Sequence, residues 1–108
     1  MAFISEHIAD VRVIHLIGAL DVRTAVELRN ELGRVTSAPG DRVLVDLTEV
    51  ARVDGSGVGV LAAAHRRAAK VGARLALADP HQRVTGPLQR AGADVHPSVG
   101  LGTAALLA

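Results

Sequence analysis

The stretch Asp54-Gly55-Ser56-Gly57 has the residue types and spacing best suited to chemistry in this chain. Gly55 and Gly57 permit a tight turn and close approach of the backbone. Ser56 places a hydroxyl where a helix is expected to begin, among N–H groups that have no intrahelical partner. A phosphate at such a place is stabilised by those donors and by the helix dipole. Ser56 is also a good N-cap by type. Asp54 and Asp21 have a parallel reading as caps or turn residues.

Other chemistries fit these residues less well. Asp21, Asp46 and Asp54 stand at expected strand ends, where carboxylates can hold Mg²⁺, as in receiver domains that phosphorylate an aspartate. The element order argues against this: a helix follows Asp54 at once, and the only lysine, Lys70, lies within a helix. A serine hydrolase needs a base beside Ser56, and Asp54-Gly55-Ser56-Gly57 is not the G-x-S-x-G turn. The five histidines, His7, His15, His65, His81 and His96, lack metal-ligand spacing. The lysine of a phosphate-binding loop is missing from the turn. Without cysteine there is no disulfide, thiolate zinc site or cysteine nucleophile. The chain is therefore expected to hold no metal or cofactor and to catalyse no reaction.

The elements that position the turn follow from periodicity. Ala2 to Glu6 reads as a short first strand. Val11 to Ile17, rich in β-branched residues, reads as a second, ended by Gly18 and Asp21. Thr24 to Val35 is helical, with Ala25, Leu28, Leu32 and Val35 forming one apolar stripe. A loop over Thr36 to Asp41 leads to a strand from Arg42 to Leu47, prolonged through Val50–Val53 to Asp54. Its apolar runs suit a strand covered on both faces. A second helix is expected from about Gly57 to Val71, stopped by Gly72. Within it, Val58, Leu61, Ala62, His65 and Ala69 are expected to face the sheet. Val60 and Ala64 widen that arc, leaving Gly59, Ala63, Arg66 and Lys70 most exposed. Ala73 to Ala78 is a further strand, Asp79-Pro80 opens a third helix to about Arg90, and Asp94 to Val99 holds a short last strand. Leu101 to Ala108 forms a final helix of two turns.

Strands alternating with helices predict an α/β fold over residues 1–108: a central mixed, mostly parallel sheet of four to five strands with about four helices. Leu28, Leu32, Val45, Leu61 and Leu75 are expected in its core. Asp21 and Asp54 each end a strand that enters a helix, so both are expected at one edge of the sheet.

Composition narrows the function. Hydrophobic residues are 49% of the 108, enough for one core. Phe3 is the only aromatic and the formal net charge is +1. A nucleic-acid binder uses a basic stripe with stacking aromatics, and this chain has neither. The N-terminal residues lack the basic region of a signal peptide, and no apolar run approaches the ~20 residues of a membrane span. A cytoplasmic protein, monomeric or weakly dimeric, that binds neither nucleic acid nor membrane is expected.

Two motifs resemble those of bacterial anti-sigma-factor antagonists, the STAS-domain family. That family carries G-x-[LI]-D before its first helix and D-S-[ST]-G-[LV]-G-V-[LF] at the start of the next. Here they are Gly18-Ala19-Leu20-Asp21 and Asp54-Gly55-Ser56-Gly57-Val58-Gly59-Val60-Leu61. The resemblance implies a STAS-like single domain that binds an anti-sigma factor, often itself a histidine-kinase-like serine kinase, and so frees a sigma factor. It implies partner contact through Asp21, Asp54, Gly55, Ser56, Gly57, Val58 and Val60. In the family, phosphorylation of the serine directly after the motif aspartate breaks the complex. This sequence departs at that point, because the residue after Asp54 is Gly55. Either Ser56 takes over as acceptor or the protein is not switched off in this way. The alternative role is a STAS scaffold or regulatory subunit of a transporter or stressosome-like assembly.

Overall fold

In the computed structural model, which describes residues 1–108, the chain opens with a hairpin. Strands β1 (Ala2–Ile8) and β2 (Val11–Leu20) pair antiparallel, from Ala2 opposite Ile17 to Ile8 opposite Val11. The chain continues through α1 (Ala25–Val35), β3 (Arg42–Val53), α2 (Gly55–Lys70), β4 (Arg74–Ala78), α3 (Thr85–Arg90), β5 (Asp94–His96) and α4 (Val99–Leu107). The five strands stand in sequence order, and every pairing after β1–β2 is parallel. This is the mixed α/β sheet that the alternation of elements predicts.

The sheet is covered unequally. Twenty buried residues, including Ile14, Leu28, Leu32, Val45, Leu61, Leu77 and Leu88, form the main core under α1, α2 and α3. Six more, Val11, Val13, Leu44, Ala76, Ala78 and Leu106, form a smaller core under α4. Val43, Val45 and Leu47 belong to the first and Leu44 to the second, so the apolar run of β3 reflects a strand buried on both sides. The five residues expected in the core are all buried.

The boundaries depart from expectation for local reasons. β2 does not end at Gly18. Gly18 adopts φ 114°, and the β2–β3 register shifts beside it, so a glycine irregularity lets the strand run on to Leu20. Helix α2 starts at Gly55, two residues early, because its N-cap is Asp54. The third helix does not begin at Asp79-Pro80. The buried Asp79 carboxylate accepts from the Arg83 and Val84 amides and the Thr85 hydroxyl, at 3.1, 2.8 and 2.8 Å. Those bonds hold residues 79–84 as a loop, and α3 waits until Thr85. The last strand stops at His96, before Pro97, and α4 starts at Val99, capped by the Ser98 hydroxyl.

Helix α2 is also rotated from the expected face. Its buried residues are Gly57, Leu61, Ala62, Ala64 and Ala68. Val58 and His65 are half-buried and Ala69 is exposed. Gly57 sets this orientation. A Cβ there would lie 2.9 Å from both Leu20 and Val53 side chains, so only glycine lets the helix start this close to the sheet.

Candidate partner-binding site

The site is built where β2 and β3 leave the sheet side by side. Leu20 pairs with Val53, and the next residue on each strand is Asp21 and Asp54. The Asp54 amide donates to the Leu20 carbonyl at 3.0 Å, which ties the two exits together. Asp21 and Asp54 thus stand at the same C-terminal end of the parallel strands, as expected.

Asp54, not Ser56, caps α2. Its Oδ1 accepts from the Ser56 amide at 2.9 Å and the Gly57 amide at 3.2 Å. Its backbone is extended, at φ −102° and ψ −176°, the conformation of an N-cap. Ser56 is already inside the helix, so its exposed hydroxyl is not consumed by capping. Gly55 is exposed, and a Cβ built on it meets nothing within 4 Å.

Asp21 leads into α1 without capping it by its side chain. Its carbonyl accepts from the Thr24 and Ala25 amides at 3.1 and 2.9 Å, and its Oδ1 from the Arg23 amide at 2.9 Å. The Thr24 hydroxyl accepts from the Asp21 amide and donates to the Ala19 carbonyl, at 3.0 and 2.8 Å. Oδ2 of Asp21 lies 3.3 Å from Arg52 and 3.5 Å from Arg23. Burial works to raise the Asp21 carboxyl, but the Arg23 amide and the Arg52 guanidinium outweigh it and hold the group below the usual carboxylate value. Asp21 is thereby a fixed anion with two exposed arginines around it.

The remaining expected contact residues divide by burial. Asp54, Gly55 and Ser56 are exposed; Val58 and Val60 are half-buried against the main core; Gly57 is buried. Gly57 therefore serves the surface by letting α2 approach, while Gly55 and Ser56 form it. Arg23, Arg52, Val22 (70% exposed) and Val26 (56% exposed) stand at the same end and were not singled out by the sequence motifs. None of the three cavities in the protein includes a residue of the Asp54–Val60 segment. The turn is a surface, not a substrate cleft.

Asp46 does not join Asp21 and Asp54. It pairs with His15 across the β2–β3 ladder. His15 Nδ1 lies 2.6 Å from Asp46 Oδ2, and Nε2 lies 2.8 Å from Glu6 Oε1. Thr48 donates both its amide and its hydroxyl to Asp46 Oδ1, at 3.0 and 2.6 Å. The ring thus links three strands. Burial works to lower the His15 pKa, but bonds to Glu6 and Asp46 outweigh it and raise it. For Asp46, burial is outweighed by bonds from Thr48 and His15, which lower it. The three carboxylates of the receiver reading are therefore not one site.

Comparisons with known proteins agree with this fold. The family profile described as "Mlab, STAS domain" matches residues 5–103. No curated protein matches the chain. Among solved structures, an anti-sigma factor antagonist from Mycobacterium paratuberculosis is similar with a TM-score of 0.82 at 20% identity, over 99% of this chain and 94% of that one. The unphosphorylated form of the anti-sigma factor antagonist SpoIIAA gives 0.74 at 20% identity, over 98% of this chain and 97% of that one. The murine Solute Carrier 26 family member A9 anion transporter gives 0.73 at 20% identity, over 94% of this chain and 18% of that one. At these identities the structural likeness is one of fold. The profile match spans nearly all of the sequence, and on that match the chain belongs to the STAS domain family.

Proposed function

We propose that this STAS domain antagonises an anti-sigma factor by binding it through the end of the sheet that carries Asp21 and the Asp54–Gly57 turn. The observation that carries the reading is the adjacency of Asp21 and Asp54. Two motifs 33 residues apart in sequence meet there, beside an exposed serine. Asp54, Gly55, Ser56 and the flanks of Val58 and Val60 are the contact surface, and Asp21 and Gly57 hold it in shape. The chain works by binding and catalyses no reaction. The structural neighbours named as anti-sigma factor antagonists support this partner class.

Control by phosphate differs from the family pattern. Gly55 has no hydroxyl at the position that the family phosphorylates, so the domain is competent to bind without a phosphatase. Its activity then follows its abundance or another signal. The test is incubation with the kinase partner and ATP, followed by mass spectrometry. No phosphate is expected on the wild type. Stoichiometric phosphate on Ser56, lost in Ser56→Ala and coupled to partner release, would overturn constitutive competence.

A second reading is favoured by the transporter among the structural neighbours. It makes the chain a regulatory subunit of a transport or stressosome-like assembly, using the same surface. Affinity capture separates the two. A histidine-kinase-like ATPase supports the first reading, and a transport ATPase the second.

A further inference from the structure

The sheet ends in two unlike edges, β1 and β5. β5 is guarded: it has three residues, carries Asp94 and His96, and is followed by Pro97. Short length, charge and proline are common means of keeping a sheet edge from pairing with another chain. β1 is not guarded in these ways. Its seven residues include no lysine, arginine or proline, and its register with β2 runs unbroken from Ala2 to Ile8, without a bulge. All of them but Phe3 are exposed.

The one carboxylate of β1 does not protect the edge. Glu6 Oε1 lies 2.8 Å from Nε2 of His15 on β2, so its charge is turned back over its own sheet. Ile4 and Ile8 share that face, and they are 54% and 38% exposed. The face is fixed by the pairing of Ile8 with Val11 and of Glu6 with Val13, since both valines belong to the smaller core. The outer N–H and C=O groups of β1 therefore lie open beside two exposed isoleucines, with no charge aimed outward between them.

A second copy of the same strand fits this edge. A two-fold axis normal to the sheet sets the two strands antiparallel with the same faces up. Residues directly opposite each other then have both even or both odd numbers, because side chains alternate between faces. A pairing centred on Glu6 opposes two carboxylates, and one centred on Ile4 leaves His7 and Ile8 unpaired. Centred on Ser5, the pairing uses the whole strand. Ala2 then faces Ile8 of the second copy, Phe3 faces His7, Ile4 faces Glu6, and the two Ser5 residues meet. Ile4 also lies diagonal to Ile4 and Ile8 of the second copy, within reach of long side chains. We infer that two copies of this chain pair through β1, antiparallel about Ser5, into one continuous sheet. The Asp54–Gly57 turn follows β3, two strands in from this edge, so the turns of both copies stay free to bind a partner.

The experiment is sedimentation of the full chain over a concentration series. A reversible dimer with a dissociation constant of about 1–100 μM is expected, because pairing one strand buries less than a standard interface. Ile4→Lys puts a charge on an exposed position of the edge and should weaken the dimer at least about ten-fold. Leu101→Lys, on the exposed side of α4, should not weaken it. A second readout does not depend on how Ile4→Lys folds. Residues opposed in an antiparallel pair are about 4.5–5.5 Å apart at Cα, within disulfide range, and the chain has no cysteine of its own. Ser5→Cys should therefore oxidise in air to a covalent dimer, and faster than Ala104→Cys on the exposed side of α4. A monomer at every concentration, an Ile4→Lys dimer as tight as wild type, or faster oxidation of Ala104→Cys would each overturn the proposal, the last by placing the contact on α4.

Discussion

The Asp54 amide donates to the Leu20 carbonyl at 3.0 Å, one residue beyond the point where Leu20 and Val53 are paired in the sheet. This bond joins the two parallel strands as they part to enter different helices. It fixes the distance between the Gly18–Asp21 motif and the Asp54–Leu61 motif. What looks like two separate signals in the sequence is one surface in the fold.

The first prediction concerns how α2 is capped. Asp54 accepts from two helix amides, whereas Ser56 caps nothing. Asp54→Ala should destabilise the domain by about 0.5–2 kcal/mol, and Ser56→Ala should leave denaturant melts nearly unchanged. The reverse order of effects would return the capping role to Ser56.

The two glycines of the turn should respond oppositely to a methyl group. A Cβ on Gly57 meets Leu20 and Val53 at 2.9 Å, while one on Gly55 meets open space. Gly57→Ala should cost about 1–3 kcal/mol through overpacking. Gly55→Ala should not destabilise. Equal stability of Gly57→Ala and wild type in urea would show that α2 does not pack this closely.

Leu61 is fully buried between α2 and the sheet. Leu61→Ala should cost about 2–5 kcal/mol. A loss below about 1 kcal/mol in the same melts would mean that a different face of α2 is buried.

The His15 cluster predicts a pH dependence of stability. The His15 pKa is raised from 6.5, so its charged bonds to Glu6 and Asp46 stabilise fully below pH 6.5 and weaken as pH rises through the raised value. The Asp46 pKa is lowered from 3.8, so its contribution is present above that pH and lost as pH falls through the lowered value. Wild type should therefore exceed His15→Gln in stability by more at mildly acidic pH than at alkaline pH. A gap that is constant or wider at alkaline pH would contradict the charged cluster. Some gap should persist, since neutral His15 can still donate one ring N–H to Asp46.

Much of this arrangement can be read from the residues. The three- and four-residue spacing of Leu28, Leu32 and Val35 locates α1, and the apolar run from Val43 to Leu47 marks a strand covered on both sides. The meeting of Asp21 with Asp54 follows from each ending a strand. Other features depend on tertiary contacts that no local pattern encodes. The rotation of α2 depends on clearance between Gly57, Leu20 and Val53. The delay of α3 depends on a buried carboxylate, Asp79, reaching forward to three donors. The Glu6–His15–Asp46 cluster needs the register of three strands, and His15 and Asp46 are 31 residues apart.

The most direct test of the partner-binding account is quantitative affinity capture from a lysate of the source organism with two baits, wild type and Ser56→Glu. An acidic residue in the first turn favours the helix, so Ser56→Glu should fold normally, while its charge sits on the proposed contact surface and mimics a phosphate. The account predicts that a histidine-kinase-like ATPase is enriched on the wild-type bait and reduced at least about ten-fold on Ser56→Glu, a difference of about 1.4 kcal/mol. Equal recovery on both baits, or no such ATPase on either, would contradict it.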